Sequence, residues 1–248
     1  MITQNEHQFA ETPSSATMED SYSYPARGSF LQTERWRESV PAELFRYWAV
    51  KRSLDVSLVL LSLPLLVPLF AIISAIMMWT SPGPVFFSHR RIRKNGSFFS
   101  MWKFRTMCVN STEVLDEYLR THPEACAEWY ATRKLRRDPR VTPIGNFLRR
   151  YSLDELPQVW NVLVGTMSLV GPRPIVAAEV EKYGERFQFY CRVKPGLTGL
   201  WQVSGRSELS YDARVALDCE YVRRWSLFRD LVILMKTFTA VIKQDGAF

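Results

Sequence analysis

The longest apolar segment of the chain runs from Val56 to Trp79 and contains no charged residue. As a straight helix it would be about 36 Å long, which is comparable with the hydrocarbon core of a bilayer. A buried helix of a soluble domain is the alternative, but such helices seldom run this far without one charge on a solvent-facing side. The pattern therefore predicts a membrane helix.

Pro64 and Pro68 interrupt this segment, and each removes a backbone donor and crowds the preceding turn. Basic residues flank both ends of the segment, and such residues mark the cytoplasmic side of a membrane. They are Arg46, Lys51 and Arg52 before it and Arg90, Arg91, Arg93 and Lys94 after it. A re-entrant helix, broken near Pro68 and returning to the same face, satisfies both observations. The alternative, a helix that crosses the membrane, would place one basic cluster outside.

Shorter patterns follow the apolar segment. Phe98 to Met107 has the aromatic character of a strand that ends in cations. Residues 111–136 are polar and predict a helical region interrupted at Pro123. Residues 154–164 predict a helix that ends at Gly165, because glycine fits a left-handed cap.

From Tyr211 onward, apolar residues recur at helical spacing among arginines and lysines. Basic amphipathic helices of this kind lie in the membrane interface, and packing in the core is the alternative. The chain is thus predicted to be α/β and mostly helical, in three regions. These are a disordered tail over 1–45, a re-entrant membrane helix with its connection over 46–88, and a small cytoplasmic catalytic domain over 89–248.

The net charge and the cysteine content limit the partners and the catalytic groups that are expected. The 248 residues carry a formal net charge of +7, which indicates an anionic partner such as nucleic acid, a membrane surface or a phosphorylated substrate. The four cysteines are far apart and form no CxxC pair, which argues against a disulfide framework or a zinc site. Of the three histidines, His7 lies in the polar tail, which leaves only His89 and His122 for imidazole chemistry, so carboxylates are the favoured catalytic groups.

Two adjacent carboxylates, Asp154 and Glu155, follow two arginines in RRYSLDELPQ, residues 149–158. Ser152 and Glu155 match a capping box, which is a purely structural alternative. A cap at Asp154 is preferable, because Pro157 then falls in the first turn, where no backbone donor is required. An ionised aspartate there can attack phosphorus, a neighbouring glutamate can hold Mg²⁺, and Arg149 can neutralise a diphosphate.

Two loops could add binding groups. Arg173 lies between two prolines in VGPRP, which presents a guanidinium suited to a diphosphate or nucleotide contact, with an ordinary surface turn as the alternative. The second loop, residues 194–206, contains glycines and has cations at both ends.

Several segments together resemble the bacterial sugar transferase family, the monotopic polyprenyl-phosphate phosphoglycosyl transferases. They are KRSLD at 51–55, Pro68, SPGPVFF at 81–87, KFRTM at 103–107, DPRVTPIGNFLRRYSLDELPQVWNVL at 138–163, MSLVGPRP at 167–174 and KPGLTGLWQVSGR at 194–206. The resemblance covers residues 46–248. Two departures are Val67-Pro68, where the family often has Ser-Pro, and HRRIR at 89–93, where it commonly has Gln-x-Arg-x-Gly.

The resemblance implies a cytoplasmic active site at the bacterial inner membrane and transfer of galactose- or glucose-1-phosphate from a UDP-sugar to undecaprenyl phosphate, with release of UMP, as the first step of exopolysaccharide synthesis. It implies that Asp154 is the nucleophile of a covalent intermediate and that Glu155 associates with Mg²⁺. Arg149 and Arg173 are then expected to bind phosphate and nucleotide. Lys103 and Arg105 are interpreted as phosphate contacts, with structural support as the alternative.

A non-catalytic, membrane-anchored basic module that binds anionic lipid or nucleic acid is the rival hypothesis. Such a module has no need for an Asp-Glu pair beside a Pro-Arg-Pro loop, so the enzyme is preferred and no nucleic-acid partner is expected. A homodimer is left open, because no sequence feature specifies the oligomeric state.

Overall fold

The computed structural model describes residues 45–243 except 133, 206 and 207, without the side chains of 45–47 and 241–243. The tail predicted over 1–45 lies outside this part, apart from Phe45, as do Arg206 and the side chain of Arg46. The described part is mostly helical, as predicted, with four short strands.

Helix α1, Phe45–Thr80, contains the whole apolar segment and is long and apolar enough to cross a membrane. Its helical segment runs without interruption through Pro64 and Pro68, so the sequence-based expectation of a broken helix is not met at the level of secondary structure. Each proline removes only its own backbone donor, and the flanking turns keep theirs. The re-entrant path of the helix stays a prediction.

One side of α1 is buried along its length, while the other apolar side chains are exposed. Leu61, Leu65 and Trp79 are the most exposed of these, at 77%, 72% and 89%. An apolar helix that leaves so much leucine uncovered suits a lipid environment. The buried side comprises Lys51, Asp55, Val59, Leu66, Ile73 and Met77.

Strands β1, Phe86–Ile92, and β2, Phe98–Phe104, form an antiparallel hairpin that pairs Phe86 with Phe104 and Ile92 with Phe98. A 3-10 turn at Lys94–Gly96 joins them. β2 confirms the strand predicted from Phe98. The buried side chain of Phe104 packs against the end of α1 in one hydrophobic cluster with Ile73, Met77 and Leu148.

The predicted polar helical region is two helices, α2, Ser111–Thr121, and α3, Pro123–Thr132. Pro123 starts the second helix, as expected of a residue that suits the first helical position. Helix α4, Pro143–Arg150, then carries Leu148 into the cluster beneath α1, and helix α5, Gln158–Val164, follows.

A second, parallel pair of strands supports the other half of the domain. β3, Ser168–Val170, pairs with β4, Gly196–Thr198, through Ser168 and Gly196. The backbones approach so closely that a Cβ on Gly196 would lie 2.1 Å from the backbone nitrogen of Gly171, so glycine is required there. The connection holds two short helices, α6, Val180–Tyr183, and α7, Phe187–Tyr190.

Two helices close the described chain, as the spacing from Tyr211 predicts. They are α8, Tyr211–Arg223, and α9, Leu227–Lys243. Helix α8 buries Val215 and Val222 in the core. Helix α9 buries Ile233 but exposes an apolar row of Phe228, Leu231, Met235 and Phe238.

Candidate active site

The two carboxylates lie on a tight turn between α4 and α5. Thr142 caps α4 by accepting a hydrogen bond from Gly145 N at 3.0 Å, and the helix ends at Arg150. Ser152 then adopts a left-handed conformation, with φ 55°, and a 3-10 turn follows at Leu153–Glu155. This sharp reversal brings Asp154 and Glu155 towards β2, because residues of β2 contact the turn.

The predicted helix cap at Asp154 is wrong. The α-helix begins at Gln158, its capping position is Pro157, and the Ser152 side chain makes no capping hydrogen bond either. A 3-10 turn precedes the helix because the reversal at Ser152 uses residues 153–155 before regular helix can start. The predicted end is confirmed, since Gly165 forms a left-handed cap with φ 83°.

Lys103 connects strand β2 to both carboxylates. Its Nζ donates to Glu155 Oε1 at 2.6 Å and lies 3.9 Å from Asp154 Oδ2. Burial raises the pKa of Asp154 to about 6; Glu155 also raises it, while Lys103 and Arg149 lower it. Asp154 is thus mostly ionised at neutral pH but only weakly stabilised, as suits a nucleophilic carboxylate.

Glu155 differs from its neighbour in charge environment. Burial by itself raises the pKa of Glu155, but the charge and hydrogen bond of Lys103, followed by Arg173 and Arg91, leave the pKa below its ordinary value. Glu155 therefore stays ionised over a wide pH range and can interact with a cation. The two adjacent carboxylates are suited to different roles.

Arg149 approaches the pair from the end of α4. Its Nε donates to Thr106 Oγ1 at 2.9 Å, which fixes the guanidinium beside the turn. Because Arg149 lowers the pKa of Asp154, its charge acts on the predicted nucleophile. The structure thus brings Arg149, Lys103 and both carboxylates together.

Arg105 occupies a different environment from Lys103. It is buried, and its guanidinium donates to the backbone carbonyls of Ser81, Pro82, Pro84 and Met107. With its donors used in this way, it holds the connection after α1 against β2. The geometry therefore favours the structural alternative for Arg105 over the predicted phosphate contact.

Arg173 and Arg91 both act on Glu155, since both lower the pKa of that carboxyl. The exposed guanidinium of Arg173 lies over the buried ring of Trp201, with 5.6 Å to the ring centroid. Burial and the charge of Arg173 lower the pKa of Arg91. Two like charges that act on each other in this way can be stabilised by a bound anion.

Sequence reasoning missed Arg91 as a member of this site. Its Nη1 lies 3.4 Å from the Pro174 carbonyl oxygen and 3.8 Å from Glu179 Oε2, so it touches the loop that carries Arg173. Its Nε is buried and has no hydrogen-bond partner among the described residues. A buried guanidinium N–H without an acceptor suits a ligand oxygen. The only signal in the sequence was its place in HRRIR.

The described residues contain no group of three or more side chains able to ligate a metal. Mg²⁺ is commonly held by one or two carboxylates together with substrate phosphates and water, so the neighbouring oxygens of Asp154 and Glu155 fit that mode once a diphosphate is bound. Lys103 donates a hydrogen bond to the Glu155 carboxylate, so Lys103 and a bound Mg²⁺ would share that carboxylate.

Known proteins of one family are similar to this chain over most of the described residues. The model of a family described as bacterial sugar transferase matches residues 46–244. The exopolysaccharide production protein ExoY of Rhizobium meliloti is 52% identical over 198 residues, which are 80% of this chain and 88% of that protein. The undecaprenyl-phosphate galactose phosphotransferase of Salmonella typhimurium is 52% identical over 166 residues, which are 67% of this chain and 35% of that protein.

A third relative is named for transfer of glucose-1-phosphate instead of galactose. The UDP-glucose:undecaprenyl-phosphate glucose-1-phosphate transferase of Escherichia coli is 40% identical over 196 residues, which are 76% of this chain and 39% of that protein. This chain therefore spans less than half of the Salmonella and Escherichia relatives but most of ExoY.

Proposed function

The chain belongs to the bacterial sugar transferase family, and from that premise we propose that it transfers galactose- or glucose-1-phosphate from a UDP-sugar to undecaprenyl phosphate by way of a covalent intermediate on Asp154. It is a polyprenyl-phosphate phosphoglycosyl transferase, in keeping with relatives that carry the names of such enzymes. The non-catalytic binding module loses its support with this membership.

The observation that carries the mechanism is the half-buried Asp154, whose Oδ2 lies 3.9 Å from Lys103 Nζ and whose charged form Arg149 also favours. In the first step an oxygen of the ionised Asp154 attacks the β-phosphorus of the UDP-sugar. The bond from that phosphorus to the bridging oxygen breaks, and UMP leaves with the electron pair. The products are UMP and an acyl phosphate, a mixed anhydride between the Asp154 carboxylate and the sugar phosphate.

Neighbouring cations make this attack feasible, because a carboxylate and a diphosphate repel each other. Lys103 and Arg149 act on Asp154, while Arg173 and Arg91 act on Glu155. We assign the first two to the phosphate under attack and the second two to the rest of the diphosphate. Arg105 supports the fold around them.

The second step returns Asp154 to its free state. An oxygen of undecaprenyl phosphate attacks the phosphorus of the intermediate, and the bond between phosphorus and Asp154 breaks. The product is an undecaprenyl diphosphate sugar, and the carboxylate takes the electron pair of the broken bond. Both halves of the reaction use the same phosphorus and the same carboxylate.

Glu155 and Asp154 are the residues that would hold Mg²⁺ together with diphosphate oxygens. The ion would supply positive charge to the bridging oxygen of the leaving UMP. Glu155 suits this role because its pKa lies below the ordinary value, so it is ionised at the pH of the reaction.

The lipid acceptor explains why the site is built beside α1. Phe104 joins the strand of Lys103 to the end of α1, through Ile73 and Met77. Near the start of α1, Lys51 bonds to Asp230 at 2.7 Å. Both ends of the helix thus contact the same domain, and exposed leucines lie between them. The contact of both ends with one domain supports a chain that returns to the same face, and we propose a re-entrant path in the inner membrane with the domain on the cytoplasmic side.

Helix α9 extends the membrane-facing surface. Its exposed row of Phe228, Leu231, Met235 and Phe238 recurs every three or four residues, so it lies along one side of the helix. Arg224 and Arg229 flank the start of this row. We place α9 in the interface, as the sequence predicts, with its buried side on the domain.

The relatives named for exopolysaccharide production, galactose and glucose support a role at the first step of a polysaccharide repeat unit. The direct test is UMP release from UDP-galactose and UDP-glucose by membrane-extracted protein with Mg²⁺ and undecaprenyl phosphate. If UMP is released from only one of the two UDP-sugars, and only when Asp154 is present, that UDP-sugar is the donor. Failure to release UMP from either sugar would overturn the proposed donors.

A further inference from the structure

Three cations from separate parts of the chain meet beside the start of helix α1. Arg52 lies on α1, Lys94 on the turn between β1 and β2, and Lys194 just before β4. A methyl group on Gly165 would lie 3.2 Å from Lys194 Nζ and 3.7 Å from the guanidinium carbon of Arg52. The two positive groups therefore converge over one glycine.

Lys94 completes this cationic cluster and ties it to an aromatic ring. Its Nζ lies 3.6 Å from the centroid of Trp48, near the start of α1 and before the apolar segment. Tryptophan is typical of the boundary between membrane and water. The cluster thus lies where the headgroups of a bilayer are expected if α1 enters the membrane.

Among the groups that act on Lys194, the cations outnumber the carboxylates. Burial and the charge of Arg52 lower the pKa of Lys194, Lys94 and Lys51 lower it further, and Asp55 opposes them. Burial also lowers the pKa of Lys94. Asp55 already accepts hydrogen bonds from Ser168 Oγ and Leu169 N.

A purely structural role can be assigned to Arg52 but not to Lys94. Arg52 donates to the carbonyl oxygens of Val162 and Leu163, and so caps the C-terminal end of α5. Lys94 has no such role, because its described contact is the ring of Trp48. The cluster also lies at the end of α5 opposite to Glu155, so it is separate from the active site.

We propose that Arg52, Lys94 and Lys194 bind the phosphate of an anionic phospholipid headgroup at the foot of α1. Partly buried like charges gain most from an anion that also fills the space between them. The acyl chains of such a lipid would lie along the exposed leucines of α1. The site would hold the helix at a fixed depth, and the proposal does not depend on which reaction Asp154 performs.

The same phosphate chemistry is present in inorganic phosphate and in undecaprenyl phosphate, and native mass spectrometry of the full chain in detergent distinguishes these sources. Dioleoyl phosphatidylglycerol is titrated into wild type and into the double variant Lys94→Gln, Lys194→Gln. We expect about tenfold weaker retention of one bound lipid in the variant. Arg52 is left intact because it supports α5.

The matched control is the double variant Lys134→Gln, Arg137→Gln, which removes the same charge from two exposed positions far along the chain. It should retain phosphatidylglycerol like wild type. Equal losses in both double variants would show a general charge effect and overturn the site. Displacement of the lipid by equimolar inorganic phosphate, or a loss confined to undecaprenyl phosphate, would overturn the assignment to a phospholipid.

Discussion

Lys103 Nζ lies 3.9 Å from Asp154 Oδ2, although the two residues belong to a strand and a turn that are 51 positions apart. The lysine favours the charged form of a carboxylate that burial would otherwise neutralise. It also donates to Glu155 at 2.6 Å. One cation from β2 thus favours the charged form of both carboxylates.

Replacing Asp154 with asparagine removes the nucleophile while keeping its size. We expect UMP release to fall by at least about a thousandfold, because no covalent intermediate can form. The measurement is UMP release with a UDP-sugar and Mg²⁺ in the absence of acceptor. Asp116→Asn, on the exposed side of α2, is the control and should keep full activity. Activity of Asp154→Asn near that of the control would rule out the mechanism.

The pH dependence of the first step should follow the ionisation of Asp154. Its pKa is raised to about 6, so the nucleophile is lost as the pH falls through 6. Lys103 lowers this pKa, so Lys103→Met should move the acid limb of kcat/KM to higher pH. The position of the limb, rather than the rate at its plateau, is what the measurement compares. A limb that stays at the same pH in Lys103→Met would contradict the coupling.

Part of this site can be predicted from the sequence, and the reason is local. The Asp-Glu pair, the arginine before it and the C-terminal glycine cap all lie within one continuous segment, residues 149–165. Motif and cap chemistry are properties of such segments. The capping position of α5 was not predictable in the same way, because it depends on the reversal at Ser152, a non-glycine residue with φ 55°.

The roles of Arg91 and Arg105 could not be told apart from the sequence. Each is an arginine in a short segment that contains other basic residues, HRRIR and KFRTM. Only the fold shows that Arg105 donates to backbone carbonyls, while Arg91 lies against the loop of Arg173 with a buried Nε. Which cations serve the fold and which face a ligand depends on contacts with distant segments.

Arg91→Gln should weaken donor binding. A hydrogen bond to a charged ligand contributes about 1.5–3 kcal/mol, which corresponds to about a ten- to hundredfold rise in KM for the UDP-sugar. We expect a smaller change in kcat, since Arg91 acts on Glu155, whereas the cations that act on the nucleophile Asp154 are Lys103 and Arg149. The neighbouring Arg90, which lies over the ring of Phe98, provides the control Arg90→Gln. Equal KM values for the two variants would exclude Arg91 from the donor site.

The pair of Lys51 and Asp230 is expected to fasten α1 to α9. The side chains are 5% and 0% exposed, and Asp230 also accepts hydrogen bonds from Tyr221 and Trp225. Lys51→Met leaves a buried carboxylate uncompensated, so the free energy of unfolding should fall by about 3–5 kcal/mol. Denaturant unfolding in detergent measures this.

A second ion pair provides the control for Lys51→Met. Arg186 and Asp212 form an exposed pair, at 40% and 84%, which contributes about 0–1 kcal/mol. Arg186→Met should therefore leave the free energy of unfolding nearly unchanged. If both variants unfold at the same denaturant concentration, the buried pair stabilises the fold no more than the exposed pair does. The proposal that Lys51 and Asp230 fasten α1 to α9 is then wrong.

Asp218 should make stability fall as the pH rises. Burial raises the pKa of this carboxyl from 3.8 to about 8, although a hydrogen bond from Tyr183 and the charge of Arg173 lower it. Between these two pH values the folded chain holds a proton that the unfolded chain releases, so the free energy of unfolding decreases with increasing pH. Above pH 8 and below pH 3.8 this dependence ends.

Asp218→Asn removes that proton equilibrium while keeping an acceptor for Tyr183. The new amide adds a constant change in stability, so only the trend of the difference from wild type with pH is diagnostic. We expect the unfolding midpoint of the variant, relative to wild type, to rise steadily from pH 5 to pH 8 in a thermal melt. Asp116→Asn, at an exposed position, should show no such trend. A difference that is the same at every pH would mean that Asp218 is already ionised in the folded protein, and that the hydrogen bond from Tyr183 and the charge of Arg173 together outweigh its burial.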